Sequence, residues 1–174
     1  MSFRSLRATV ATATISALSV TALTVPVASA DEDTAKISIS NITDFHGRFK
    51  YAEDVRNPAN SVPGAERLKC AIDKEAEPFG GAHIFTSSGD NIGASPFEAM
   101  LLDDAPTIDV LNSMNLEVSA VGNHEFDKGA ADLSDRVIPN ASFSYLAANA
   151  ETVKGTAPYE MKELDGVKVA FIGT

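Results

Sequence analysis

Apolar and polar positions alternate along the chain in short blocks that predict strands and helices in turn. Residues 36–41 alternate with a period of two, which is the pattern of a half-buried strand. Residues 65–77 instead carry Leu68, Ala71 and Ile72 at the i, i+3, i+4 spacing of an amphipathic helix. Similar patterns predict strands at 83–87, 117–121 and 145–148, helices at 96–102, 106–114 and 129–138, and a hairpin of 159–164 and 167–172 around Asp165-Gly166. Strands and helices in alternation are typical of an α/β layered fold.

The first thirty residues have the composition of a secretory signal peptide. Arg4 and Arg7 precede an uncharged apolar stretch, residues 8–25, and a small-residue Ala-Ser-Ala sequence ends at Ala30. An uncleaved membrane anchor is the alternative, but the many serines and threonines in the stretch disfavour it. We therefore expect cleavage after Ala30 and a secreted, extracytoplasmic mature part of bacterial type, residues 31–174, without a transmembrane span.

Composition and charge limit the classes of partner. The chain is 44% hydrophobic and 22% charged, which is typical of a globular domain. Its formal net charge of −10 disfavours binding to a nucleic-acid polymer. The single cysteine, Cys70, excludes an intrachain disulfide and a Cys-rich zinc site, and we expect it near the apolar face of a helix as an inert small residue.

Polar side chains follow three of the predicted strands, at the point where each strand ends. Asp44 and His46 follow the first strand, Asp90 the second, and Asn123 and His124 the third. Sites in parallel α/β sheets lie beyond the carboxyl ends of the strands, so these side chains should gather at one edge. Asp44 and His46 should point the same way if their segment is extended. Each residue alone could be a turn former or an exposed histidine, but together they favour a site for a transition metal.

The motifs DFHGR, SSGDNIG and GNHEFDKG, in this order, resemble those of the calcineurin-like metallophosphoesterases. The resemblance is strongest to the secreted 5′-nucleotidase / UDP-sugar hydrolase / 2′,3′-cyclic phosphodiesterase family and covers residues 37–174. It implies a layered α/β/β/α metallophosphoesterase fold, incomplete at the C-terminus, and two divalent metal ions (Zn, Mn, Fe or Co) as cofactors. The implied activity is hydrolysis of nucleotide phosphate monoesters, or of related phosphate esters, by a hydroxide bound to the two metals.

The resemblance also assigns roles to matching positions. Asp44 and His46 match ligands of the first metal, Asp90 the carboxylate that bridges both metals, and Asn123 a ligand of the second. His124 matches the catalytic histidine, and Asp127 matches the carboxylate that orients its imidazole.

Four other residues near these motifs receive weaker interpretations. Arg48 could touch a substrate phosphate, but a solvated arginine or an internal ion pair fits its position better. Glu125 and Phe126 are interpreted as packing and turn residues rather than ligands, and His83 as a structural residue of the second strand.

The given sequence ends at Thr174, before the later motifs of the family. The remaining metal-binding histidines of the family lie in later Gly-His and Gly-His-x-His motifs, whereas this chain carries only His46, His83 and His124. We therefore expect residues 31–174 to be the N-terminal part of a catalytic domain that lacks its substrate domain, and the 174-residue chain to be inactive or nearly so. The alternative is an exported non-catalytic module that keeps the scaffold and binds a metal or a surface.

Overall fold

The computed structural model describes residues 34–150 and 153–174, and the predicted signal peptide, residues 1–30, lies outside them. The described strands are β1 (Ile37–Ile42), β2 (Ala82–Ser87), β3 (Val118–Ala120), β4 (Ser144–Leu146), β5 (Tyr159–Leu164) and β6 (Val167–Ile172). The helices are α1 (Gly64–Ala76), α2 (Phe97–Met100), α3 (Ala105–Ser113), α4 (Ala130–Asp132) and α5 (Ile138–Asn140). Short 3-10 turns occupy Pro58–Asn60, Glu77–Phe79 and His124–Phe126.

A four-stranded parallel sheet in the order β1-β2-β3-β4 organises the described residues. All four strands therefore place their carboxyl ends at the same edge. The predicted mixed α/β fold with a parallel sheet is confirmed. β5 and β6 pair separately as an antiparallel hairpin. The predicted turn is also confirmed, because Asp165 and Gly166 both take the positive φ values, 50° and 75°, of a type I′ turn.

Both faces of the parallel sheet are covered, which explains why β2 and β4 are apolar at successive positions. Phe85 and Tyr145 lie in the larger core cluster, with residues of α3 such as Leu111. Their neighbours along the strands, Ile84 and Leu146, lie in a second cluster that contains Leu164 of the hairpin. Adjacent residues of one strand thus pack on opposite faces of the sheet, as the two-residue period of a strand requires.

Three expectations about the helices need correction. The segment predicted as one helix at 129–138 is α4 and α5 joined by a π-helical turn, Leu133–Val137. Pro139 has no N–H to donate to an i−4 carbonyl, which is consistent with a widened turn before it. The helix predicted at 96–102 is shorter, and Asp103 and Asp104 turn the chain at positive φ. Cys70 is exposed, not near an apolar face.

Gly81 provides a test of the packing that sets the register of β1 and β2. A Cβ added at Gly81 would overlap the carbonyl oxygen of Lys36, which also accepts a hydrogen bond from Ala82 N at 3.0 Å. We expect Gly81→Ala to lower the free energy of unfolding by about 1–3 kcal/mol, measured by urea denaturation, since the strands must move apart. The control is Gly80→Asn, because an added Cβ at Gly80 meets nothing within 4 Å and asparagine tolerates its φ of +62°. An unchanged urea midpoint for Gly81→Ala would contradict this account.

Candidate metal centre

The loops that follow β1, β2 and β3 meet at the carboxyl edge of the sheet. One ligand atom from each of His46, Asp90 and His124 lies within 4.8 Å of the others. The two imidazole rings meet edge to face, with their centroids 4.9 Å apart. The edge of the sheet thus brings together three side chains from the ends of three different strands, although His46 and His124 are 78 positions apart in the sequence.

Asp44 approaches this group from the exposed side. Its Oδ1 lies 3.7 Å from His46 Nε2, and its side chain is 61% exposed. The expectation of an extended segment here is wrong, because Asp44 and His46 have φ values of 54° and 46°. β1 has already ended at Ile42, and a left-handed turn, rather than the alternation of a strand, brings the two side chains together.

Hydrogen bonds between loop backbones hold this turn beside the loop after β2. Asp44 N donates to Gly89 O at 3.2 Å, His46 N to Asp90 O at 3.0 Å, and Gly47 N to Asn91 O at 3.0 Å. The pairing of β1 with β2 therefore continues into the site, which places the proposed ligands of the two loops next to each other.

Asp90 is fixed against the loop after β3. Its Oδ1 accepts a hydrogen bond from His124 N at 2.9 Å. Gly122 leaves room for that carboxylate, because a Cβ at Gly122 would overlap Asp90 Oδ1. The glycine in the third motif is thus required by a close approach of the Asp90 side chain.

Glu125 has a role that the sequence interpretation missed. Its side chain is 2% exposed, and its carboxylate accepts backbone hydrogen bonds from Asp90 N at 2.9 Å, Asn91 N at 2.9 Å and Gly122 N at 2.6 Å. Burial raises the pKa of this carboxyl, while the three hydrogen bonds oppose that rise. A packed turn residue was expected, whereas the structure shows a carboxylate that joins two site loops.

His124 and Asp127 form a hydrogen-bonded pair at the rim of the site. His124 Nδ1 lies 3.0 Å from Asp127 Oδ2, which also accepts from Ala94 N at 3.3 Å. The hydrogen bond to Asp127 raises the pKa of His124 and lowers the pKa of Asp127. Because Nδ1 is engaged by the carboxylate, Nε2 of His124 is the ring nitrogen left for another partner.

His46 is oriented in a similar way, but by a backbone carbonyl. Its Nδ1 lies 2.8 Å from Gly93 O. A carbonyl oxygen only accepts hydrogen bonds, so Nδ1 carries a proton, and Nε2 is the nitrogen that has the lone pair when the ring is neutral. A neutral imidazole held in this tautomer by a backbone carbonyl is the form that metal-binding histidines take. The donor set of imidazole and carboxylate therefore fits a transition-metal ion.

The other predicted residues lie around this group. Asn123 is exposed and directly precedes the turn that begins at His124. Arg48 is exposed, forms no ion pair with the described residues, and lines a cavity of about 250 Å³ together with Asp44 and Leu68. His83 lies in β2, where Nε2 is 3.1 Å from Ser40 Oγ, in keeping with a structural role.

Comparison with known proteins identifies the family. No family model matches the chain. It is 35% identical over 176 residues to cell wall protein Lmo0130 of Listeria monocytogenes, covering 84% of this chain and 22% of that protein. It is 31% identical over 154 residues to a 5′-nucleotidase of Vibrio vulnificus, covering 83% of this chain and 26% of the relative.

The chain belongs to the 5′-nucleotidase family of metallophosphoesterases. The resemblance inferred from the three motifs is thereby confirmed. The fold is also similar to that of the NAD nucleotidase of Haemophilus influenzae, with a TM-score of 0.65 and 22% identity over 78% of this chain and 26% of that one. The chain spans about a quarter of the length of each of these three proteins. In the described ranges, 34–150 and 153–174, no helix has both the length and the apolar character needed to cross a membrane.

Glu125→Gln tests whether the buried carboxylate holds the two loops. The amide group of glutamine presents N–H atoms where a carboxylate oxygen now accepts, so at least one backbone N–H loses its partner. We expect the free energy of unfolding to fall by about 1–3 kcal/mol, measured by urea denaturation in a chelator. Glu163→Gln, at an exposed position of β5, is the control. Equal urea midpoints for the two variants would show that the Glu125 hydrogen bonds contribute nothing measurable.

Proposed function

We propose that this chain is the metal-binding part of an exported enzyme that hydrolyses phosphate monoesters of nucleotides. The observation that carries the proposal is the group formed by His46, Asp90 and His124 at the sheet edge, with the imidazole of His124 paired to Asp127. The relatives named 5′-nucleotidase support nucleotides as the substrate class.

The proposed ligands divide between two divalent ions. Asp44 and His46 would hold the first ion, Asn123 the second, and Asp90 would lie between them. When bound, two such ions neutralise charge on a phosphate ester and lower the pKa of a water molecule. This local positive charge is needed because the protein has a formal net charge of −10 and its substrate is an anion.

His124 would act on the leaving group. The hydrogen bond to Asp127 raises the pKa of His124 and occupies Nδ1, so Nε2 is the ring nitrogen that would carry the donated proton. Donation of that proton to the departing nucleoside oxygen would spare the formation of a free alkoxide. Asp127, held by Ala94 N, would keep the ring in the orientation required for this transfer.

Export is part of the proposal. The signal-peptide pattern that ends at Ala30 supports cleavage there, and a relative is named a cell wall protein. The second candidate function is an exported non-catalytic module that binds a metal or a surface, and a relative whose name gives a location and no activity leaves room for it. The two candidates differ in whether His124 and Asp127 take part in turnover.

Substitution of the histidine–aspartate pair distinguishes the two candidates. In the protein encoded by the complete gene, loaded with Mn²⁺ or Zn²⁺, we expect His124→Gln to lower the rate of phosphate release from AMP about 10²- to 10⁴-fold. A chelator should abolish the activity of the unsubstituted protein. The control is His83→Gln, which changes a histidine of β2 outside the group. Metal binding without any release of phosphate from nucleotides would favour the non-catalytic module.

We further propose that the 174-residue chain alone is inactive or nearly so, because Asp90 and Asn123 are the two residues of the matched motifs that it offers to the second metal. Purified residues 31–174 should bind Mn²⁺ or Zn²⁺ through Asp44, His46 and Asp90, but should release phosphate from AMP at a rate near background. Isothermal titration and a phosphate assay on the same sample provide both measurements, with Asp90→Asn as the variant that loses binding. Metal-dependent turnover comparable to that of the complete gene product would contradict this proposal.

A further inference from the structure

Asp104 is a buried carboxylate that belongs to none of the three motifs. Its residue is 6% exposed, and among the described residues it pairs with no lysine, arginine or histidine within salt-bridge distance. Its oxygens accept hydrogen bonds from Ser95 Oγ at 2.5 Å and from Gly93 N at 3.3 Å, with Thr107 Oγ1 at 3.4 Å. Asp104 precedes α3 but its side chain caps no backbone N–H of that helix. Its strongest contact is therefore to the turn formed by residues 93–95.

The 93–95 turn also holds two residues of the proposed site. Gly93 O is the acceptor for His46 Nδ1 at 2.8 Å, and Ala94 N donates to Asp127 Oδ2 at 3.3 Å. One short turn thus orients a proposed metal ligand and the partner of the proposed catalytic histidine.

Little free space separates the turn from the site. A Cβ added at Gly93 would lie 2.5 Å from Asp127 Oδ2 and 2.6 Å from His124 O, and Gly93 has a φ of +75°. A shift of this backbone would therefore push directly on the pair formed by Asp127 and His124. The hydrogen bonds that Asp104 accepts from Ser95 and Gly93 hold the turn in place.

The hydroxyl of Ser95 links Asp104 to the orientation of His46. Ser95 Oγ lies 2.5 Å from Asp104 Oδ1 and 3.1 Å from Gly93 O, and it has one proton to donate. A carboxylate is the stronger acceptor of the two. With its proton directed to Asp104, the hydroxyl ties the 93–95 turn to that carboxylate and so holds the Gly93 carbonyl toward His46 Nδ1.

We propose that Asp104 is a positioning residue of the metal centre, which fixes the tautomer and direction of His46 through Ser95 and Gly93 and supports Asp127 through the same turn. The effect of Asp104 on metal affinity rests on the proposed function, because it requires His46 to be a metal ligand. The effect of Asp104 on the His46 tautomer does not, and the tautomer can be measured without any metal.

The test compares Asp104→Asn and Ser95→Ala with a matched control. Asn keeps the size of the side chain and tolerates the φ of 60° at this position, but it replaces one acceptor oxygen by an N–H donor. Asp103→Asn is the control, because Asp103 is the adjacent aspartate, has a φ of 54°, and is exposed and paired with Lys128.

The first measurement is the histidine tautomer, read from ¹⁵N shifts of ¹⁵N-histidine-labelled protein in a chelator. We expect His46 to be protonated at Nδ1 in the unsubstituted protein and in Asp103→Asn, and to show a mixture of tautomers in Asp104→Asn and Ser95→Ala. The second is the affinity for Co²⁺, followed by its absorption spectrum, which should fall about tenfold in the two test variants. The double variant should lose little more than either single one, since both changes act through one hydrogen-bonded unit.

Two outcomes would overturn the proposal for Asp104: an unchanged His46 tautomer in both test variants, or a Co²⁺ affinity equal to that of Asp103→Asn. A loss of thermal stability alone, with both readouts unchanged, would assign Asp104 a purely structural role. If Asp104→Asn does not fold, Ser95→Ala carries the comparison. Failure of the unsubstituted protein to bind Co²⁺ would contradict the metal centre, while the tautomer comparison would still decide the role of Asp104.

Discussion

The burial of the Glu125 carboxylate is the constraint on which the arrangement of the site depends. A carboxylate removed from water is costly unless hydrogen bonds replace its hydration, and here three backbone N–H groups do so. Those N–H groups belong to Asp90, Asn91 and Gly122, on the loops after β2 and β3. Satisfying one side chain therefore fixes two loops relative to each other, and it places Asp90 where the backbone of His124 can bind it.

The backbone of the site is held in conformations that it would not keep by itself. Asp44, His46 and Asp90 all have positive φ, which costs a non-glycine residue of order 1–3 kcal/mol unless the surroundings impose it. The hydrogen bonds between the loops after β1 and β2 impose it here. Aspartate and histidine are among the side chains that tolerate this region best, so the residue types suited to metal binding also suit the turns.

Both histidines of the site are arranged before any substrate arrives. Each uses Nδ1 for a partner within the protein, the Gly93 carbonyl for His46 and the Asp127 carboxylate for His124, and so leaves Nε2 to the centre. The Asp127 carboxylate also raises the pKa of His124, which suits the proposed proton donor, whereas the Gly93 carbonyl fixes a proton on Nδ1 of His46. Both kinds of partner occur beside metal-binding histidines, so the proposed roles rest on the matched motifs as well as on these contacts.

The sequence by itself determined the local elements and the family, whereas the tertiary structure decided how the loops of the proposed site are held. The two-residue period of β1, the helical spacing in α1 and the Asp165-Gly166 turn depend on neighbours in the chain, so the pattern of residues was sufficient to predict them. The motifs around Asp44, Asp90 and His124 are also runs of consecutive residues, so they indicated the family without knowledge of the fold. The burial of Glu125, by contrast, depends on N–H groups as far as 35 positions away, and the contact of Asp104 with the 93–95 turn depends on the fold of α2. The left-handed turn at Asp44 and His46 is imposed by hydrogen bonds to a neighbouring loop. No local pattern specifies which distant backbone groups will need a partner, and only the assembled sheet does.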